Sequence, residues 1–147
     1  MSTTKNLLAG LGGAIALNLL HEALKKSGPS MPRIDLLGEE ALQKTLQHAG
    51  TEISDEDTLY LATLGGDLVS NAIYYSLIGK GNPEYIWSKA IALGLAAGIG
   101  AVALPEYIGL NPEPVARNQK VKALTVLYYL TGALVTGGIL KKMSENK

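Results

Sequence analysis

The chain of 147 residues contains no cysteine and no phenylalanine, has only two histidines, and carries no net charge. Without cysteine it has no disulfide, no thiolate metal ligand and no cysteine nucleophile. Aromatic roles fall to seven tyrosines and to Trp87. Acidic and basic residues balance at 13 each and no run of five like charges occurs, so nothing points to nucleic acid as a partner. The pair His21-Glu22 begins the helical zinc-protease pattern, but Lys25 stands where the second histidine is required, and His48 lies in a connection. No metal is therefore expected. A phosphate-binding glycine loop and a Gly-x-Ser-x-Gly elbow are both missing, and no motif names a cofactor.

What the chain does have is four apolar stretches of spanning length, roughly 6–24, 58–78, 85–104 and 121–140. About 20 residues at roughly 1.5 Å each cross a hydrocarbon core of roughly 30 Å. Polar or helix-breaking residues bracket each stretch: Lys5 with Lys25-Lys26, Asp55 to Asp57 with Lys80, Pro83 with Pro105, and Lys120 with Lys141-Lys142. Met1 to Lys5 before the first apolar run resembles the start of a secretory signal. The only Ala-x-Ala site near the start of the chain, Ala14 to Ala16, lies inside the run, however, so an uncleaved first span fits better.

Glycine separates a membrane bundle from a soluble one. Gly10, Gly12, Gly13, Gly65, Gly66, Gly94, Gly98, Gly100, Gly132, Gly137 and Gly138 all fall within the apolar stretches. In water each costs roughly 1 kcal/mol against alanine. In lipid, patterns such as Gly94-x-x-x-Gly98 and Ala133-x-x-x-Gly137 let helices approach where no hydrophobic effect drives packing. Tyr60 and Tyr107 on one side, and Tyr74, Tyr75, Tyr85 and Trp87 on the other, suit interfacial belts. The expected fold is all-α: one membrane domain over residues 1–147, a bundle of four transmembrane helices.

The long first connection holds Pro29 and Pro32, then apolar residues at helical spacing. It predicts a short amphipathic helix over 35–49 between the first and second spans, lying on the membrane or capping the bundle, with Asp35 as N-cap and Gly50 ending it. Ser54 with Asp57 resembles a capping box opening the second span. Both termini and the turn at 79–84 share one face, side A, and the other two connections share side B. Lys and Arg divide six to seven between them, so the positive-inside rule does not fix orientation. Such balance permits a dual-topology antiparallel dimer of the kind that small multidrug transporters and fluoride channels form. Charge balance is the whole of that resemblance.

Several polar residues lie where lipid should be. They are Asn18, His21 and Glu22 in the first span, Thr63, Asp67, Ser70 and Asn71 in the second, and Tyr128 and Tyr129 in the fourth. A central Asp costs roughly 2.5–3.5 kcal/mol on insertion scales, so Asp67 should face the bundle and find partners. At the helical rise, Asn18 lies about 4.5 Å from its span's centre toward side B and Asp67 within about 1.5 Å of the midplane. Asn18 is thus expected to meet Asp67, and His21 to meet Thr63, with the Tyr128 hydroxyl a further donor to Asp67. Glu22 lies at the side B boundary, where Arg33 and Arg117 are candidate lipid-headgroup ligands.

The candidate ligand site is accordingly Asn18, His21, Glu22, Thr63, Asp67, Asn71 and Tyr128, open to side B and closed toward side A. Three function classes fit it. The leading one is a non-enzymatic accessory or scaffold protein that packs against itself or a partner membrane protein. The others are a small transporter or binding protein using Asp67, and a membrane-embedded lipid or quinone enzyme using His21 or Asp67 as general base. The lipid bilayer is the partner common to all three.

Overall fold

The computed structural model describes residues 1–146. Among these there is no strand, and the helices are α1 (Thr3–Leu24), α2 (Ile34–His48), α3 (Glu56–Ser76), α4 (Ile86–Tyr107), α5 (Glu113–Ala116) and α6 (Gln119–Glu145). Two 3-10 turns, Leu77–Gly79 and Pro83–Tyr85, connect α3 to α4. Three helical stretches, Thr3–Leu24, Pro83–Tyr107 and Gln119–Glu145, are long and apolar enough to cross a membrane. The 21-residue α3 has the length but not the apolarity, because Asp67, Ser70, Asn71 and three tyrosines interrupt its Leu, Val and Ile.

Local signals set the ends. Ser2 caps α1 by accepting from the Lys5 amide, and Asn118 caps α6 by accepting from Val121. At α3 the cap is Asp55, which takes the Thr58 amide and hydroxyl, and not the expected Ser54 box. Asp35 does not cap α2 either. It stands one residue inside, where its carboxylate is taken up by Arg33, and the N-cap position falls to Arg33 itself. Pro105 lies within the last turn of α4 and does not end it; the helix stops at Tyr107, just before Gly109 at φ 81°.

The long helices pack in the order α3, α1, α6, α4, each against the next. Glycine makes the contacts close. A Cβ on Gly10 of α1 would run into the Ala72 carbonyl of α3, and one on Gly13 into Thr136 and the Gly132 carbonyl of α6. On α4, Gly94 and Gly98 lie against Ala133 and Val126 of α6, where a Cβ would sit 2.8 and 2.6 Å away. The two small-x-x-x-small patterns therefore belong to one interface. Tyr75 is not part of an interfacial belt: it is fully buried, and its hydroxyl donates to the Tyr129 carbonyl at 2.7 Å, tying α3 to α6.

The ring of helices does not close. Helices α3 and α4 follow one another in the chain but do not pack along their lengths. Their direct tie is the Tyr74 hydroxyl donating to the Leu93 carbonyl at 2.7 Å, near the connecting turns. Outward faces are strongly apolar, with Leu19 66% and Leu61 63% exposed among many others.

Gly10→Ala should lower the thermal midpoint of the purified protein, at a cost of about 1–3 kcal/mol for overpacking against backbone. Gly65→Ala, where a Cβ meets nothing within 4 Å, should leave it unchanged or raise it slightly.

Candidate functional site

The polar residues of α1 and α3 gather as their spacing predicts. Asn18, His21, Glu22, Thr63, Asp67 and Asn71 all line one small cavity with Leu17, Ile34, Asp35, Tyr60 and Leu64. Its free volume, about 10 Å³, is that of a single water. One buried polar atom, Thr63 Oγ1, lies in this region without a hydrogen-bond partner. Asn18 does not pair with Asp67; its amide donates to the Ala14 carbonyl one turn back, at 2.9 Å. The Tyr128 hydroxyl lies 3.9 Å from Met31 Sδ, and its ring packs edge-on to His21 at 6.5 Å between centroids. Tyr128 thus supports the histidine from behind and does not serve Asp67.

On the side B end the cavity is bounded by charges. Arg33 grips Asp35 with two hydrogen bonds, Nε to Oδ1 at 3.0 Å and Nη2 to Oδ2 at 2.8 Å. His21 Nε2 lies 3.2 Å from Asp35 Oδ1 and its Nδ1 3.5 Å from Glu22. Lys25 joins Glu22 at 2.8 Å and Asp35 at 3.7 Å, with its ammonium 4.7 Å from the centre of the Tyr60 ring. Burial alone would raise the Asp35 carboxyl. Its contacts with His21 and Arg33, and their charges, outweigh this and hold it well below the usual carboxylate range. Arg117 is engaged elsewhere, donating to the Pro29 and Met31 carbonyls and so tying the two side B connections together.

Of the two places expected for α2, it takes the capping one, and the contact it makes with α3 was not foreseen. Gly38 brings this helix down onto α3: a Cβ there would lie 2.7 Å from Thr63 Cγ2 and 3.4 Å from an Asp67 carboxylate oxygen. The cavity expected to open toward side B is instead roofed on that side by Ile34, Asp35 and Gly38. A glycine amid the apolar spacing of 35–49 was the available sign.

The opening lies along the unclosed seam. A groove of about 590 Å³ runs between α3 and α4, lined by Asp67, Ser70, Asn71 and Tyr74 on one wall and Ala96, Ala97, Gly100, Ala101 and Leu104 on the other. Tyr129 of α6 and Ile34, Leu37, Gly38 and Ala41 of α2 line it as well, with Pro105, Ile108 and Leu110 at the far end of α4 and beyond. The residues 67, 70, 71 and 74 follow i, i+3, i+4, i+7 spacing, one face of α3. Asp67 and Asn71 border both the small cavity and the groove. Among the described residues, Tyr74 is hydrogen-bonded, whereas the side chains of Asp67, Ser70, Asn71 and Tyr129 have no hydrogen bond or ion pair within the protein. No group of three or more His, Asp and Glu side chains is gathered there, among the described residues, as metal ligands would be.

No family model, no curated protein and no solved structure matches this chain.

Asp35→Asn should destabilise the fold toward the lower end of the roughly 3–5 kcal/mol typical of breaking a buried ion pair, since Arg33 still reaches solvent. Because the folded-state carboxyl is depressed, its contribution is complete above the ordinary value near ~3.9 and is lost as pH falls through the folded value. The gap in thermal midpoint between wild type and variant should therefore be widest near neutrality and shrink in acid.

Proposed function

We propose that this chain is a multi-pass membrane protein, with α1, α3, α4 and α6 as four spans and α2 at the side B surface, that binds an amphipathic small molecule in the α3–α4 groove. The carrying observation is the set of four polar side chains on that groove without partners in the protein. In hydrocarbon an unmet Asp and three unmet hydrogen-bonding groups are costly, and a ligand head relieves that cost. The facing wall of alanine, glycine and Leu104 suits an apolar body. A volume of about 590 Å³ lies within the usual range for drug-sized ligands, roughly 300–1,000 Å³.

Four spans are favoured over three by the polar stripe itself. It turns toward the groove, leaving Leu61, Val69 and Ile73 of α3 exposed on the outer side, where lipid would lie. Helix α3 is apolar where a bilayer needs it and polar where the bundle shields it.

A scaffold reading has one observation of its own. Gly65 and Gly66 project from α3 into open space, as a helix-packing face for a second copy or a partner membrane protein would. It leaves the unpartnered groove without a use, so ligand binding is the fuller account.

Two experiments test the proposal. Since the chain lacks cysteine, the double variant Thr51→Cys, Lys80→Cys can be labelled in sealed vesicles with a membrane-impermeant maleimide. Four spans predict one label per molecule in either orientation, and two labels would place both sites on one side. For the groove, thermal midpoints in a neutral detergent should be measured against single-chain amphiphiles with cationic, neutral and anionic heads. At least one class should raise the midpoint saturably, and Gly100→Trp, which fills the groove, should abolish the rise. No saturable rise with any class would overturn ligand binding.

A further inference from the structure

The charges around the groove are unequal in a way that selects its ligand. On the side B end, Glu22 and Asp35 face Lys25 and Arg33, two carboxylates against two cations, all within 4 Å contacts. Both ring nitrogens of His21 contact carboxylates of that same cluster, Asp35 and Glu22; His21 lines the small cavity beside Asp67 but not the groove. The remaining walls supply nothing ionic: the groove-lining residues of α4 are alanine, glycine, leucine and proline, those of α2 are Ile34, Leu37, Gly38 and Ala41, and α6 offers Tyr129. Asp67 is thus the one ionisable acid on the groove, and no Lys, Arg or His lines it.

A lone carboxylate on an apolar, low-dielectric wall attracts a positive charge far more strongly than it would in water, and repels an anion by the same factor. From this charge complementarity we infer that the molecule bound in the α3–α4 groove is a monovalent hydrophobic cation, with Asp67 as its counter-ion. Tyr129 and the amide and hydroxyl of Asn71 and Ser70 flank the charged centre, and an aromatic ring beside Asp67 suits a bulky organic cation better than a small hydrated one. A two-charge head would leave one charge unmet, and an anionic lipid head would face an acid with no cation lining the groove to offset it. The small cavity next to Asp67 has room for one water only, so the ligand body lies in the groove and not between α1 and α3.

This inference rests on the ligand-binding reading of the groove, and its test separates the two. Tetraphenylphosphonium and tetraphenylborate have nearly the same size and shape and opposite charge. Binding of each to the purified protein in neutral detergent is measured by equilibrium dialysis, for wild type, Asp67→Asn, Asp67→Glu and Gly100→Trp. The expected result is saturable, one-to-one binding of the phosphonium at least tenfold tighter than of the borate. Asp67→Asn, which keeps the shape and loses the charge, should weaken phosphonium binding at least tenfold, Asp67→Glu should retain most of it, and Gly100→Trp should remove it. Equal or tighter binding of the borate, blocked by Gly100→Trp, would overturn the cation inference and leave the groove as a ligand site. Phosphonium binding unchanged in Asp67→Asn would also overturn it. Binding of neither ion, together with silence toward all three amphiphile classes, would remove the ligand-binding reading as well. Circular dichroism and thermal midpoints of each variant show that it is folded before its binding is scored.

Discussion

A carboxylate carried into the middle of a helical bundle is costly unless something meets it, and the arrangement of this chain turns on Asp67. Its stripe with Ser70, Asn71 and Tyr74 lies on the groove, while Leu61, Val69 and Ile73 take the exposed outer side of α3. Helix α1 takes the adjacent side of α3 through Gly10, and α2 descends onto Thr63 and Asp67 through Gly38. Neither brings a Lys or Arg to Asp67, and His21 of α1 lies closest to Asp35 and Glu22. Lys25 of the first connection and Arg33 before α2 are engaged by Glu22 and Asp35, and so Asp67 is left facing the one interface that the bundle does not close.

The open seam has a packing origin. Helices approach most closely where both present small residues, and α4 presents two such surfaces. Gly94 and Gly98 are used against Val126, Leu130 and Ala133 of α6. The other surface, Ala97, Gly100 and Ala101, faces α3, whose opposing residues are a carboxylate, an amide and a tyrosine, not small apolar groups. The pairing that closes the α4–α6 interface is missing at α3–α4. Tyr74 holds the seam at its lower end by bonding to Leu93, and above that point the walls stand apart.

Much of this was legible in the sequence because it rests on local periodicity. The helix ranges, the shared face of Asn18 and His21, and the stripe of Thr63, Asp67 and Asn71 follow from helical spacing, and these side chains do meet around one cavity. What spacing along a single helix cannot give is which neighbour lies opposite. Depth alone made Asn18 and Tyr128 partners for Asp67, but Asn18 bonds back to its own helix and Tyr128 lies against His21 and Met31. Likewise Asp35 had the look of an N-cap, until long-range contacts with His21 and Lys25 claimed its carboxylate. The expected side B mouth failed for a related reason: whether a connecting helix lies beside a site or on top of it depends on one glycine, Gly38.

The most direct test of the account is an experimental structure in lipid nanodiscs, refined well enough to resolve a bound small molecule between Asp67 on α3 and Ala97 and Gly100 on α4. The account predicts that α3 and α4 stay apart above the Tyr74–Leu93 bond, with an ordered amphipathic molecule whose polar end meets Asp67. Helices α3 and α4 packed directly together, with the Asp67 carboxylate satisfied by another side chain of the protein, would contradict it.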